Sequence, residues 1–321
     1  MRLVCLSIAG SDPSGGAGIQ ADLKTFSAFG VYGCAAIAGL TVQNTQGVRR
    51  AHPVASDLVV DQVTAVLDDL HVAATKIGML SDAETVAAVA DLVAARRSEF
   101  GILVLDPVMV ATSGDRLLTE DSVALVCDRL IPLADLVTPN VPEAAALLGR
   151  AAASDRQEAV DQAKALVAGG ARSVLVKGGH LDGDMVVDVL ARAGEVVELR
   201  SPRIATRNTH GTGCTLSSAI AASAAVLGDV PGSGVGLASV ERGRAYLQAA
   251  LRGATDWELS RHPGVGHGPV DHLAPPPFID HSLIDRSRRE TWSPVTRMRG
   301  WSDPSETSGD SSSHSRDSDR P

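Results

Sequence analysis

The segment Asn208-Thr209-His210-Gly211-Thr212-Gly213-Cys214-Thr215 leads straight into a run of small residues, Leu216 to Ala225. Glycines at 211 and 213 let the backbone turn so that successive N–H groups point one way, and a helix begun there adds the positive end of its dipole. Gly211, Thr212 and Gly213 thus form an anion cradle suited to a phosphoryl group in flight. Cys214 falls in the first helical turn, where the dipole lowers a thiol pKa and favours a thiolate able to take a proton from an attacking hydroxyl. The plainer reading is a glycine turn beside a buried cysteine. Glycines and small hydroxyls crowding one helix start favour the cradle.

A second glycine-rich loop, Gly10-Ser11-Asp12-Pro13-Ser14-Gly15-Gly16-Ala17-Gly18, follows the first apolar run. No Gly-Lys-Ser/Thr follows it, so it is not a Walker A loop. Gly16-x-Gly18-x-x-Ala21 nearly matches the dinucleotide fingerprint, but the acidic residue expected about 20 positions on is missing from Ala35-Ala36-Ile37-Ala38-Gly39. A nicotinamide-dependent oxidoreductase is therefore a weak rival, and a catalytically silent ligand-binding regulator is another.

Three strand ends supply polar groups where ligands of open α/β sheets gather. Asp106-Pro107-Val108 offers a carboxylate, and Asn140-Val141-Pro142-Glu143 an amide and a carboxylate one helical turn apart, both able to face one metal ion. Lys177-Gly178-Gly179-His180 offers an ammonium for phosphate oxygens. Magnesium takes few carboxylates and completes its shell with waters and substrate phosphates, which suits this sparse set. Taken singly, Asp106 and Glu143 read as helix-end caps; their convergence favours a site. The Gln43 amide donates and accepts at once, as a ring nitrogen beside an amino group requires, with a loop amide bonded to its own backbone as the alternative. His210 reads as a support for its loop. His262, His267 and His272, five apart, share no helix face and read as loop histidines.

The scaffold that positions these groups is an alternation of apolar strands and amphipathic helices from residue 1 to 275. Strands are expected over Leu3–Ile8, Tyr32–Leu40, up to Gly78, Ile102–Leu105, Leu136–Thr138 and Ser173–Val176, with antiparallel runs at Met185–Leu190 and Val196–Leu199 around Gly194. Helices are expected near 16–29, over Ser56–Leu70 with Ser56 as cap, after a Ser81/Glu84 capping box, and near 212–227 and 235–252. The pattern is an α/β fold with a mostly parallel sheet.

Composition agrees. Of 321 residues 44% are hydrophobic and 21% charged, as in a globular chain, while aromatics at 3% require an aliphatic core. A net charge of -9 without a basic block excludes nucleic acid and anionic membrane as natural partners. No apolar run reaches the roughly 18 residues of a membrane span, and the apolar N-terminus is too short for a signal peptide, so a cytoplasmic location is expected. The four cysteines are scattered and read as thiols. Residues 276–321, polar and carrying Trp292 and Trp301, read as a disordered tail.

Six segments in order and at ordinary spacing carry a resemblance: Ala9 to Asp22, Val42-Gln43-Asn44-Thr45, Lys76-Ile77-Gly78-Met79-Leu80, Thr138-Pro139-Asn140-x-Pro142-Glu143, Val176-Lys177-Gly178-Gly179-His180 and Asn208 to Thr215. With His267-Gly268-Pro269-Val270-Asp271-His272, they resemble the hydroxymethylpyrimidine/phosphomethylpyrimidine kinases of thiamine biosynthesis. The resemblance spans residues 3 to about 273. It implies a ribokinase-like three-layer α/β/α fold and two ATP-dependent phosphorylations, first of 4-amino-5-hydroxymethyl-2-methylpyrimidine and then of its monophosphate. It implies that Gln43 reads the amino group and ring nitrogen, and that Met79 and Val108 pack on the ring while Gly10 and Asp22 shape the pocket. Gly211, Thr212 and Gly213 form the anion hole, Lys177 steadies ATP phosphates, and Asp106, Asn140 and Glu143 organise Mg2+. Cys214 stands where many sugar kinases of the superfamily carry an aspartate base. A homodimer is also implied. The nearest rival on this fold is a pyridoxal or pyridoxine kinase, whose substrate shares the hydroxymethyl group on an aromatic nitrogen ring.

Overall fold

Val4, Leu6 and Ile8 on the first strand enter one buried cluster, whereas Cys5 enters a second and Ser7 meets Asp22. Successive side chains on a strand point to opposite faces, so one sheet builds two cores. The computed structural model describes residues 2–109, 119–262 and 264–278; nearly all of the polar tail, with Trp292 and Trp301, lies outside the described residues.

Nine strands, β1 (Val4–Ser11), β2 (Tyr32–Asn44), β3 (Gly47–Pro53), β4 (Val72–Ile77), β5 (Ile102–Leu105), β6 (Leu136–Val137), β7 (Ser173–Val176), β8 (Met185–Arg192) and β9 (Glu195–Pro202), form one sheet. Its order is β3-β2-β1-β4-β5-β6-β7-β8-β9. From β2 to β7 every neighbouring pair is parallel. The edges β3 and β8–β9 run antiparallel.

The helices among the described residues are α1 (Gly18–Ala28), α2 (Ser56–Asp69), α3 (Ala83–Ala95), α4 (Glu120–Leu125), α5 (Val141–Leu148), α6 (Arg156–Ala168), α7 (Thr212–Leu227) and α8 (Leu237–Gly253). Val63, Val89, Ala144 and Ala163 bring α2, α3, α5 and α6 to one face; Phe26, Ile220 and Tyr246 bring α1, α7 and α8 to the other. The result is the expected three-layer α/β/α fold. Most of α7 is buried, Thr215 to Ala225 without a break, and its Ala and Ser side chains admit close neighbours on several sides. At Gly243 of α8 an added Cβ would lie 2.5 Å from Cγ1 of Ile220, so the two helices meet at van der Waals range.

Two helix starts differ from the sequence expectation. Ser56 does not cap α2: Ala55 holds the cap position, and the Ser56 hydroxyl donates to Glu84 of α3 at 2.7 Å. The Ser81/Glu84 capping box is absent as well. Asp82 caps α3 by accepting from the N–H of Thr85 at 2.8 Å. Ser81 stands in left-handed backbone (φ 69°), outside the extended region an N-cap uses, and donates to the Ala38 carbonyl. Strand β3 escaped the sequence reading because Arg49 and Arg50 make it a polar, exposed edge.

Candidate active site

A cleft of about 720 Å³ opens at the carboxyl ends of the parallel strands. Asp106 follows β5, Asn140 follows β6, Lys177 follows β7, and the start of α7 lies beside Lys177 and Asp106. Gly10, Gln43, Met79, Val108, Asp106, Asn140, Glu143, Lys177 and Gly211 to Cys214 all line it. Of the residues singled out in the sequence, Asp22 does not. Its carboxylate is wholly buried below the cleft, accepting from Lys76 at 2.9 and 3.0 Å, from Ser7 at 2.6 Å and from Ser218 at 2.7 Å.

The helix start is shaped by Gly211. Its φ is +77°, and a Cβ there would fall 1.8 Å from the Gly16 carbonyl oxygen, so no other residue fits. No side chain caps α7; the N–H of Thr212 donates to the Thr209 carbonyl at 3.3 Å, and those of Gly213 and Cys214 follow it on the cleft wall as donors for an anion. Gly10 is confined more softly: a Cβ would meet the Met79 methyl at 2.4 Å, the end of a flexible side chain.

Lys177 lines the cleft just after β7. Its Nζ is 2.8 Å from Oδ1 of Asp106 and 3.7 Å from Oε2 of Glu143. Burial disfavours its charge, but Asp106 and Glu143 outweigh that and raise its pKa above the ordinary value. Asp106 is fully buried and also accepts from Thr138 at 3.1 Å and Ser217 at 3.2 Å. Burial pulls its pKa up, yet Lys177 and Lys76 together hold it below the usual carboxylate value. Glu143 goes the other way: burial raises it, and Asp106 adds to the rise against Lys177. Asn140 and Glu143 face one another in a reciprocal cap of α5, each side chain accepting the other's backbone N–H at 2.8 and 2.7 Å. The Asn140 amide oxygen is thus committed to the cap while the residue still lines the cleft.

Cys214 departs from the sequence reading. Burial pushes its thiol up to about 11, with Asp22 and Asp106 adding to the rise and Lys76 opposing it. Desolvation outweighs the helix dipole, and the resting residue is a thiol. Lys76, quoted in the sequence without a role of its own, is the buried charge beside Cys214. Wholly buried on β4, it is held in its charged form by Asp22 and Asp106 against the cost of burial. A lysine inside an otherwise apolar strand requires an acidic partner, and that was its available signal.

His210 supports its loop as read, but its pairing with Asp12 was not read for a different reason: 198 residues separate them, yet Oδ2 of Asp12 and Nε2 of His210 are 2.8 Å apart. Asp12 also gathers the N–H groups of Ser14, Gly16 and Ala17 and so shapes the glycine loop. The C-terminal segment ties the two loops of the cleft together. His267 donates its N–H to the Thr45 carbonyl at 2.8 Å, Gly268 accepts from the N–H of His210 at 2.9 Å, and Nε2 of His272 lies 2.9 Å from the Thr215 hydroxyl of α7.

This geometry can be set beside known proteins. The family model described as phosphomethylpyrimidine kinase matches residues 12–271. The chain is similar to a hydroxymethylpyrimidine/phosphomethylpyrimidine kinase of Rhizobium meliloti (strain 1021), with 52% identity over 275 residues, 85% of this chain and 98% of the relative. A phosphomethylpyrimidine kinase structure from Clostridium difficile 630 superposes with a TM-score of 0.66 at 36% identity, covering 78% of this chain and all 100% of the other. An ADP complex of Bacillus subtilis pyridoxal kinase superposes with a TM-score of 0.75 at 32% identity, covering 85% of this chain and 98% of the other.

Proposed function

The chain belongs to the hydroxymethylpyrimidine/phosphomethylpyrimidine kinase family, and from that premise we propose how its cleft divides the work. It is a bifunctional kinase of thiamine biosynthesis. It phosphorylates the hydroxymethyl oxygen of 4-amino-5-hydroxymethyl-2-methylpyrimidine and then the resulting monophosphate. The observation that carries the division is the placement of Lys177 and the uncapped start of α7 in the same cleft as Gln43.

In this reading the ring lies against Gln43, Met79 and Val108, with Gly10 giving it room. The transferring phosphoryl group meets the N–H groups of Gly211 to Cys214, while Lys177 draws the ATP phosphates toward the acceptor. Positioning and charge stabilisation supply most of the acceleration in such a transfer. Cys214 faces the acceptor oxygen. The first acceptor, a neutral alcohol, benefits from a base; the second, an anionic phosphate, does not need one. Because the resting group is a thiol, only its minority thiolate can serve as that base.

Among the described residues no three acidic, histidine or cysteine side chains are grouped as a metal cage. Asp106 and Glu143, both beside Lys177, nevertheless fit magnesium that keeps its waters and substrate phosphates. They would hold it with Asn140 alongside, and its charge would offset that of the ATP phosphates. The rival pyridoxal kinase reading rests on the shared fold and 32% identity, against 52% for the pyrimidine kinase relative.

No helix among the described residues is long and apolar enough to cross a membrane. Use of ATP goes with a cytoplasmic site, and a homodimer and a kinase domain ending near residue 275 complete the reading. Mass spectrometry of the pyrimidine incubated with protein, ATP and magnesium tests the core. Gain of one and then two phosphoryl groups is expected. Monophosphate alone removes the second step, and phosphorylation of pyridoxal alone favours the rival. Sedimentation of the full chain tests the dimer, and activity of a chain ending at Phe278 tests the domain boundary.

A further inference from the structure

Nε2 of His210 has two neighbours, Oδ2 of Asp12 at 2.8 Å and the carboxamide nitrogen of Gln43 at 3.3 Å. Asp12 accepts on both oxygens: Oδ1 from the N–H and hydroxyl of Ser14, Oδ2 from the N–H groups of Gly16 and Ala17. An ionised carboxylate is only an acceptor, so Nε2 of His210 carries a proton and gives it to Asp12. A protonated Nε2 cannot also accept from the Gln43 amide nitrogen.

The other end of Gln43 has the complementary conflict. Oγ1 of Thr41 lies 3.0 Å from the Ser11 carbonyl and 3.1 Å from Oε1 of Gln43, and one hydroxyl has one proton to donate. The two ends of a carboxamide are told apart by their hydrogen bonds. Turned over, the Gln43 amide satisfies every contact at once. Its oxygen then shares the Nε2–H of His210, its nitrogen donates to Thr41, and Thr41 donates to Ser11. One lone pair of the oxygen, on the His210 side, and one N–H, on the Thr41 side, remain for a ligand in the cleft.

We propose that His210, its tautomer set by Asp12, is a specificity-determining positioning residue that locks the Gln43 amide in this order. The proposal rests on the reading that Gln43 faces the pyrimidine. In that order the amide matches an exocyclic amino donor beside a ring-nitrogen acceptor. The isosteric 4-oxo ring presents an acceptor beside an N–H donor, and both of its contacts would be repulsive. Accepting it requires the amide to rotate, which breaks the bonds to His210 and Thr41 together. A polar mismatch of this kind discriminates far more strongly than a missing methylene, because groups already desolvated are left unpaired.

The test compares kcat/KM for 4-amino- and 4-oxo-5-hydroxymethyl-2-methylpyrimidine on single preparations of the full chain, so that the ratio is independent of the active fraction. His210→Leu is expected to lower the amino-over-oxo ratio by about tenfold or more, chiefly through KM of the amino compound. His210→Gln, which can place an N–H donor near the position of Nε2, restores most of it. A role confined to supporting the loop would lower both rates and leave the ratio unchanged, which overturns the proposal. Nitrogen-15 shifts of His210 in the unmutated chain are expected to show Nε2 protonated; an Nδ1–H tautomer also overturns it. Gln43→Leu separates the premise from the inference. If that variant leaves KM for the amino compound unchanged, Gln43 does not read the ring and the premise fails. If it abolishes the preference while His210→Leu preserves it, the premise stands and the lock fails.

Discussion

Nζ of Lys177 lies 2.8 Å from Oδ1 of Asp106, and an added Cβ on Gly213 would lie 3.3 Å from that same Nζ. The ammonium thus stands at the first turn of α7, anchored by a fully buried carboxylate that Thr138 and Ser217 also hold. These contacts hold the cation in place in the cleft.

Lys177→Met is therefore expected to slow both phosphorylations by about 10²-fold or more, since it removes charge where the transition state gathers it. It also strips Asp106 of its nearest partner, so the melting temperature falls too. Kinetics of each step and a thermal melt on one preparation check this. A variant that loses stability but keeps both rates would remove Lys177 from the phosphate path.

Much of this was legible from the chain and some was not. The strands β1, β4, β5 and β7 announce themselves as short apolar runs, and the polar residues ending them mark the cleft, because a parallel sheet delivers its carboxyl ends to one side. Asp22 misled for a physical reason. Its motif is contiguous with the loop that lines the cleft, but a helix turns successive residues to different faces, and the one carrying Asp22 points at Lys76. The Asp12–His210 contact had no local signal at all, since chain folding alone brings those two residues together. The Cys214 thiol went the opposite way from expectation because a dipole argument reads the helix end and not the burial around it.

Cys214 supplies the second prediction. With the thiol up at about 11, the thiolate fraction grows through the whole range from neutral to mildly alkaline pH. The first phosphorylation should therefore accelerate as pH rises from about 7 toward 9, whereas the second, whose acceptor is already an anion, should not follow that limb. Cys214→Ala should slow the first step more than the second and flatten its alkaline limb. Equal losses in separate assays of the two steps, or a limb that survives the substitution, remove the base assignment.

The buried pair Lys76 and Asp22 yields the third. Both side chains are fully inaccessible, so removing one charge leaves the other without solvent or its ion-pair partner. Lys76→Met is expected to destabilise the fold by about 3–5 kcal/mol, and a Lys76→Met/Asp22→Leu double variant to recover most of that. Chemical denaturation of the three proteins measures it. The Lys76→Met single variant should carry a harder-to-ionise Cys214, because Lys76 opposes the rise of that thiol, whereas the double variant also removes Asp22, which adds to the rise, and should return toward the parent. Slower alkylation of Cys214 at fixed pH reads out that effect separately from stability.

His272 gives a prediction in acid. It is buried between α7 and the C-terminal segment, with Nε2 at the Thr215 hydroxyl and its carbonyl accepting from Tyr246 at 2.9 Å. Burial, reinforced by the positive charge of Lys24, lowers its pKa from 6.5 to about 4. The folded value lies below the unfolded one, so as pH falls the unfolded chain takes up the proton first. The stability tied to neutral His272 is complete above about pH 6.5 and is lost progressively as pH drops toward 4. A shift of that size corresponds to at most about 3 kcal/mol, to be read as a slope in melting temperature across that window. His272→Gln, which keeps a polar partner for Thr215 without a titrating ring, should flatten that part of the slope. Because Thr215 adjoins Cys214 at the anion cradle, acid should also loosen the start of α7 before the sheet opens. Amide exchange at residues 212–215 rising ahead of exchange in β4 and β5 would show this, and simultaneous loss of protection would assign His272 to the global fold alone.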